Sequence, residues 1–189
     1  MRTQMFLNYL AANMRLDPHK IEYFSTDQHF RGGWEAWLQC EIGSAMRRGP
    51  GRWTLEREVA YPGQIGFRAD FKITNTEGLG DQTYVELKAM NSQNPADRAW
   101  DQFGADINKV RWVNHRDATI VCQALLAVHG HFDAHSLSRP VIQNNLGGFS
   151  QSQVYIIDYA NPMAPRVTPL RDVHLNPPDR LFIVGAGSP

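Results

Sequence analysis

The sequence contains little cysteine and little lysine. Only two of its 189 residues are cysteines, Cys40 and Cys122, and both lie in apolar surroundings. So few thiols exclude a disulfide framework, and they predict reduced, buried cysteines in a reducing compartment. Lysine occurs at only four positions, one of which is Lys88 in an otherwise apolar segment.

Net charge and long hydrophobic runs are also lacking. The 19 Lys and Arg residues balance 19 Asp and Glu residues, so the overall charge demands neither a nucleic-acid nor a membrane partner. Any anion-binding site must therefore be local. No run reaches the length of a bilayer span, and the first residues lack the apolar core of a signal peptide. We expect an uncleaved cytoplasmic protein with no membrane partner.

The length suits one domain with a single hydrophobic core. Apolar residues at helical spacing predict helices over 3–16, 33–48 and 96–113. β-Prone runs predict strands over 52–61, 66–74, 83–90, 118–128 and 152–160. This order predicts an α/β fold, a mixed β-sheet flanked by helices. The core would span roughly 33–160, with an N-terminal helical extension over 1–32 and a Pro-rich tail over 161–189.

Charged side chains interrupt the two neighbouring strands 66–74 and 83–90. Because strand side chains alternate between faces, Glu86 and Lys88 share one face of the second strand. Asp70 lies on the polar face of the strand before it, and it approaches Glu86 if the two strands pair. Two semi-buried carboxylates repel unless a proton or a hard cation lies between them. The pattern therefore predicts a divalent metal site.

The helix over 33–48 supplies candidates for a third acid. Glu41 falls within the apolar arc of this helix, whereas Glu35 lies toward its edge. A carboxylate on a packed face is costly unless something there uses it. Glu41 is therefore the first choice for the third acid, and Glu35 is the second.

An acidic helix residue, a strand aspartate and a Glu-x-Lys triplet on the next strand resemble the PD-(D/E)XK nuclease superfamily, the restriction-endonuclease-like enzymes. The resemblance covers roughly residues 33–112. The pattern reads Glu41 or Glu35, then Asp70, then Glu86-Leu87-Lys88.

The resemblance implies a restriction-endonuclease-like core and a nuclease that uses Mg²⁺ or Mn²⁺ to hydrolyse phosphodiester bonds, in DNA more than in RNA. Asp70, Glu86 and the backbone carbonyl of Leu87 would hold the ion, and Glu41 would bind it directly or through water. Lys88 would sit beside the attacking water and offset the charge that grows on the phosphate. Restriction, repair, or the work of an antibacterial toxin effector secreted without a cleavable signal are the implied roles.

Further residues are candidates for binding nucleic acid. Gln102 and Lys109 lie on the polar side of the helix over 96–113 and could contact a phosphate. Arg47, Arg48 and Arg52 form a basic turn that could meet a nucleic-acid backbone. The same turn also has a purely structural interpretation, because cations favour a helix C-terminus.

Two other functions stay open. One is a catalytically silent module with the same fold that acts through a nucleic-acid or protein partner, such as a second copy of the chain or a regulatory or immunity-type protein. The other is a hydrolase that uses zinc bound by the loop from His129 to His135. Metal identity separates the second from the nuclease, since a nuclease of this kind needs oxygen-bound Mg²⁺ or Mn²⁺.

Overall fold

A computed structural model describes residues 3–17, 20, 23, 33–63, 66–77, 82–89, 96–116, 121–128, 154–159, 164–169 and 182–187. The helices with defined bounds in these residues are α1 (Thr3–Asn13), α2 (Gly33–Arg48) and α3 (Ala96–Arg116). The strands are β1 (Trp53–Ala60), β2 (Arg68–Asn75), β3 (Gln82–Ala89), β4 (Val121–Val128), β5 (Val154–Asp158), β6 (Arg166–Pro169) and β7 (Phe182–Gly187). Within these ranges no helix is both long enough and apolar enough to cross a bilayer.

The seven strands form one sheet in the order β1-β2-β3-β4-β7-β5-β6. Only β3 and β4 are parallel neighbours; the remaining pairs are antiparallel. Parallel strands need a crossover connection, and α3 lies in the chain between them. The mixed sheet with helices on it confirms the predicted α/β class.

The helices cover both faces of the sheet. α1 contacts β5, β6 and β7, whereas α2 contacts β1 and β3. Between these helices and the sheet lies the main hydrophobic core, to which β3 contributes Val85, Leu87 and Ala89. α3 contacts β3, β4 and β7, and it faces the alternate side chains of β3, which include Glu86 and Lys88. Strand β3 is therefore buried from both sides, which explains its nearly continuous burial.

Helix α2 has the predicted bounds, and β1, β2 and β3 lie within one or two residues of theirs. The apolar spacing and the Gly-Pro-Gly sequence after Arg48 explain this agreement, since both start and stop signals are local. Cys122 is buried as predicted, but Cys40 is exposed on α2, so the expectation of two buried thiols is wrong for Cys40.

The structure corrects the expectation of a Pro-rich tail outside the core. Within the predicted tail, β6 lies at one edge of the sheet, and β7 lies between β4 and β5 and pairs with both. Strand β7 was hard to recognise because it is short and contains Gly185 and Gly187. Gly185 allows α1 to approach the strand, since a Cβ atom there would lie 2.8 Å from Cδ1 of Leu7.

Replacement of Gly185 tests the position of β7 in the sheet. We expect Gly185→Val to lower the free energy of unfolding by about 1–3 kcal/mol, because its side chain would overlap Leu7 and Leu125 in a packed core. Urea denaturation followed by circular dichroism measures the change. The control is Thr54→Val at an exposed strand position. Equal stability of the two variants would show that α1 does not pack on Gly185.

Candidate active site

The ladder between β2 and β3 stops in the middle of both strands. Its last pair is Phe71 opposite Val85. Beyond that pair β2 continues alongside β1, where Ala69 lies opposite Val59, while β3 continues alongside β4 as far as Ala89. The two strands therefore separate at one end of the sheet, and β3 has backbone donors there that β2 does not bind.

Two carboxylates accept hydrogen bonds from those backbone donors. Asp70 on β2 accepts one from the Leu87 N–H, with 2.6 Å between N and Oδ2. Glu35 on α2 accepts one from the Ala89 N–H, with 3.2 Å between N and Oε2. Leu87 and Ala89 are two residues apart, so their N–H groups share an edge of β3. The opening between the strands thus brings a strand acid and a helix acid to the same place.

Glu86 lies on the α3 side of β3 and is almost fully buried, with 3% of its surface exposed. Its Oε1 lies 2.6 Å from Nζ of Lys109 and accepts a hydrogen bond of 2.5 Å from the Tyr61 hydroxyl. Lys109 also donates to the main-chain oxygen of Arg68 at 2.6 Å. Burial raises the pKa of Glu86, although Lys109 and Tyr61 oppose this effect. The carboxylate is therefore held by two donors in a site of low dielectric.

Lys88 lies among the acids. Its Nζ is 3.8 Å from Oδ2 of Asp70 and 3.9 Å from Oδ2 of Asp106, and it donates to the main-chain oxygen of Leu87 at 3.2 Å. Burial lowers the pKa of Lys88, but the surrounding carboxylates, Asp106 first among them, outweigh burial and raise it overall. The ammonium group is therefore charged at neutral pH.

Asp106 on α3 is a member of this group that the sequence analysis missed. Its side chain is 14% exposed, and its Oδ2 has no hydrogen-bond donor, since Lys88 is close enough for attraction but too far for a hydrogen bond. The signal was present in the sequence: Asp106 falls among Phe103, Ile107 and Val110, the buried stripe of α3. The criterion that selected Glu41 on α2 applies to it equally.

The helix acid in the group is Glu35 and not Glu41, which corrects the order of preference given above. Glu41 lies further along α2, where its Oε2 is 3.9 Å from the guanidinium of Arg48. Glu35 lies in the first turn of α2 and reaches the end of β3. Burial raises the pKa of Glu35, Lys88 lowers it, and Asp70 raises it further. An apolar arc cannot distinguish the two, because the distance to β3 depends on how α2 crosses the sheet.

Lys109, one of the two candidate phosphate contacts on α3, is engaged by Glu86 and by the main-chain oxygen of Arg68. It is 22% exposed, and its ammonium group lies 5.4 Å from the centre of the Tyr61 ring. Lys109 therefore lies beside Glu86 and Tyr61, and its contact with a phosphate stays a prediction. Gln102 is half-buried and has an interaction partner of its own.

The basic turn lies away from the acids. Arg48 contacts Glu41 and the main-chain oxygen of Asn13, and Arg52 lies 3.6 Å from Glu77. Strand β1 begins next to Arg52 opposite Asn75, five residues along β2 from Asp70, which corresponds to about 16 Å. These contacts fit the structural interpretation of the turn. Of its three arginines, Arg47 is exposed and forms no ion pair with a described residue.

The donor set suits a hard divalent cation, because the ligands on offer are oxygens. Among the described residues, each of Asp70, Glu35 and Glu86 makes these contacts through a single oxygen. As they stand, however, no three acidic, histidine or cysteine side chains within the described ranges converge on one ion position. Ion binding by both acids would require side-chain movements that bring Asp70 and Glu86 together.

The histidine-rich loop that offered a zinc site, from His129 to His135, lies outside the described residues. In comparisons with protein-family models, with curated proteins and with solved structures, nothing matched the chain.

Asp106 makes stability depend on pH. Burial raises its pKa from the ordinary 3.8 to about 7, although Lys88 opposes the rise. The folded protein therefore binds this proton more tightly than the unfolded chain, so the favourable contribution is complete below pH 4 and is lost as the pH rises through 7. Asp106→Asn cannot ionise and should not lose this contribution. Its free energy of unfolding relative to that of the native chain should therefore rise between pH 4 and pH 8, by at most about 4 kcal/mol.

Urea titrations in EDTA at several pH values measure this difference. Asp101→Asn, at an exposed position of the same helix, is the matched control and should show no such trend. A stability difference between Asp106→Asn and the native chain that does not vary with pH would show that Asp106 titrates normally.

Proposed function

We propose that the protein is a metal-dependent nuclease with a restriction-endonuclease-like core, which hydrolyses phosphodiester bonds in DNA more than in RNA. One observation carries the proposal: where β2 and β3 separate, Asp70, Glu86, Lys88 and Glu35 come together. The surrounding topology supports it as well, since an antiparallel β1-β2-β3 unit is followed by α3 and a parallel β4.

In this function Asp70, Glu86 and the main-chain carbonyl of Leu87 would hold Mg²⁺ or Mn²⁺, with Glu35 as a further ligand, direct or through water. The bound ion would activate water and polarise the phosphate. Lys88 lies 3.8 Å from Asp70 and donates to the Leu87 carbonyl, and its raised pKa would keep it charged beside a growing negative charge. Asp106 and Asp70 hold the Lys88 ammonium group from two sides.

The substrate must be bound by local features, because the chain has no net charge. A groove near the acids, a second copy of the chain or a regulatory protein would each supply affinity that the overall charge does not. We place the reaction in the cytoplasm, or in a cell that receives the protein as an effector.

Cleavage of supercoiled plasmid and of single-stranded DNA and RNA tests the proposal. We expect cleavage with Mg²⁺ or Mn²⁺ and none with EDTA. Glu86→Gln, Lys88→Met and Glu35→Gln should each lower the rate by at least about 100-fold, because each removes a group that acts on the developing charge or holds the ion. Initial rates at saturating metal measure the effect.

Two matched controls accompany these variants. Glu41→Gln removes the other acid of α2, and Lys72→Met removes a strand lysine whose Nζ lies 2.7 Å from Glu56 instead; both should retain activity. If the folded native protein cleaves no substrate with either metal, catalysis is not its function, and the silent binding module becomes the better account.

Lys109 provides a test of metal binding that does not depend on cleavage. Lys109→Met leaves Glu86 buried and without its ammonium partner, so in EDTA the variant should lose about 3–5 kcal/mol of stability. Mg²⁺ bound at Glu86 would restore part of this loss. Thermal unfolding with and without Mg²⁺ should therefore show a larger rise in Tm for the variant than for the native chain.

The double variant Lys109→Met, Glu86→Gln is the control, because it removes the unpaired charge. It should be more stable than Lys109→Met alone in EDTA and should not respond to Mg²⁺. An equal response of all three proteins to Mg²⁺ would place the ion elsewhere.

A further inference from the structure

A cleft of about 320 Å³ lies between α2 and β1. Its walls are a stripe of α2 and alternate residues on one face of β1. The lining includes Gln39, Met46 and Arg47 from the helix, and Trp53, Leu55 and Arg57 from the strand. Gln39 follows Glu35 by one helical turn, about 6 Å along the axis, so the cleft adjoins the candidate active site.

Gln39 is the buried polar group of this cleft. It is 5% exposed, and its side-chain Oε1 has no hydrogen-bond partner. Buried amide oxygens in native proteins nearly always have a donor, and an exception calls for a ligand or water that supplies one. The amide offers both an acceptor and donors, which match the polar edge of a nucleobase.

Two cations line the same cleft. Arg47 and Arg57 are its charged side chains and both are exposed. Neither forms an ion pair with any other described residue. Guanidinium groups bind phosphate oxygens in a bidentate manner, so an anion entering the cleft would meet two unneutralised cations and no carboxylate.

The apolar wall contains an aromatic ring with a constrained orientation. The indole N–H of Trp53 donates to the main-chain oxygen of Pro50 at 3.2 Å, and the ring packs edge-on against Tyr9 at 5.8 Å. Trp53 is partly exposed beside Leu55 and Met46. An ordered aromatic side chain next to arginines is the arrangement on which bases of single strands stack.

We propose that this cleft binds one nucleotide unit, with the base against Trp53 and Gln39 and the phosphate at Arg47 and Arg57. A simple carboxylate would pair with the arginines, but it has no donor for the buried oxygen of Gln39 and would leave that oxygen unpaired. The volume lies at the lower end for ligand sites, about 300–1,000 Å³, which suits one nucleotide. The assignment rests on the proposed function for its ligand: the unit belongs to the strand whose phosphodiester bond lies at the acids.

Cys40 lines the cleft and is exposed, so it reports on occupancy. The other thiol, Cys122, is buried, and burial raises its pKa to about 12, which makes it an unreactive internal reference. Alkylation of Cys40 by iodoacetamide, followed by peptide mass spectrometry, is measured on the native chain in EDTA. The probes are a single-stranded DNA oligonucleotide, adenosine 5′-monophosphate and inorganic phosphate.

We expect the oligonucleotide to slow Cys40 alkylation about tenfold at ten times its Kd. Arg47→Gln with Arg57→Gln should weaken binding and reduce the slope of log Kd against log salt by about 1.4 for two phosphate contacts. Arg166→Gln, at an exposed position of β6, is the matched control. Gln39→Leu should also weaken binding without changing the salt slope, since it removes a neutral group.

Protection by both the oligonucleotide and the mononucleotide would show a site for free and strand-borne nucleotides, and protection by the oligonucleotide alone would show a site for a strand. Both results support the proposal. Unprotected Cys40, or protection that survives in the double arginine variant, would overturn it.

The proposed function and the nucleotide site can be tested separately. Asp70→Ala should abolish cleavage yet leave protection of Cys40 in EDTA unchanged. Protection without any cleavage by the native chain would retain the nucleotide site and reject the nuclease, whereas cleavage without protection would do the reverse.

Discussion

The early end of the ladder between β2 and β3 determines where the acidic side chains meet. Past Phe71 and Val85, β2 pairs only with β1 and β3 pairs only with β4. The edge of β3 that no longer pairs with β2 needs acceptors for its N–H groups. Asp70 and Glu35 supply them. Acids are good acceptors for such donors, and water would otherwise have to enter a largely buried region. In the proposed function, the same opening would admit a substrate group to the end of β3.

Charge balance is the second constraint. Four carboxyl groups, of Glu35, Asp70, Glu86 and Asp106, surround the ammonium groups of Lys88 and Lys109. Two cations do not neutralise four acids, and burial strengthens the remaining repulsion. Burial is the largest cause of the raised pKa values of Glu35, Glu86 and Asp106, and repulsion from neighbouring carboxylates adds to it. In the proposed nuclease, a bound divalent cation would offset this excess of negative charge.

The position of α2 links the acids to the neighbouring cleft. Its first turn carries Glu35 to the end of β3, and the following turns carry Gln39 and Arg47 along β1. One helix therefore contributes to both sites, and their spacing follows from its 1.5 Å rise per residue. A strand that crosses the end of β3 would pass the cleft within a few nucleotides. In the proposed arrangement, local arginines would provide the affinity for nucleic acid that the balanced total charge of the chain does not.

The sequence by itself determined the bounds of α2, the strands β1 to β3 and the shared face of Glu86 and Lys88, because helix and strand periodicity and turn residues act over a few positions. It could not rank Glu35 above Glu41, include Tyr61, or pair Lys109 with Glu86, because those contacts join residues between 23 and 54 positions apart. It also could not place β7, because a short segment with two glycines does not look like the interior strand that it forms between β4 and β5. The tertiary structure decided these points, since only the crossing of helices over the sheet determines which polar side chains share a buried space.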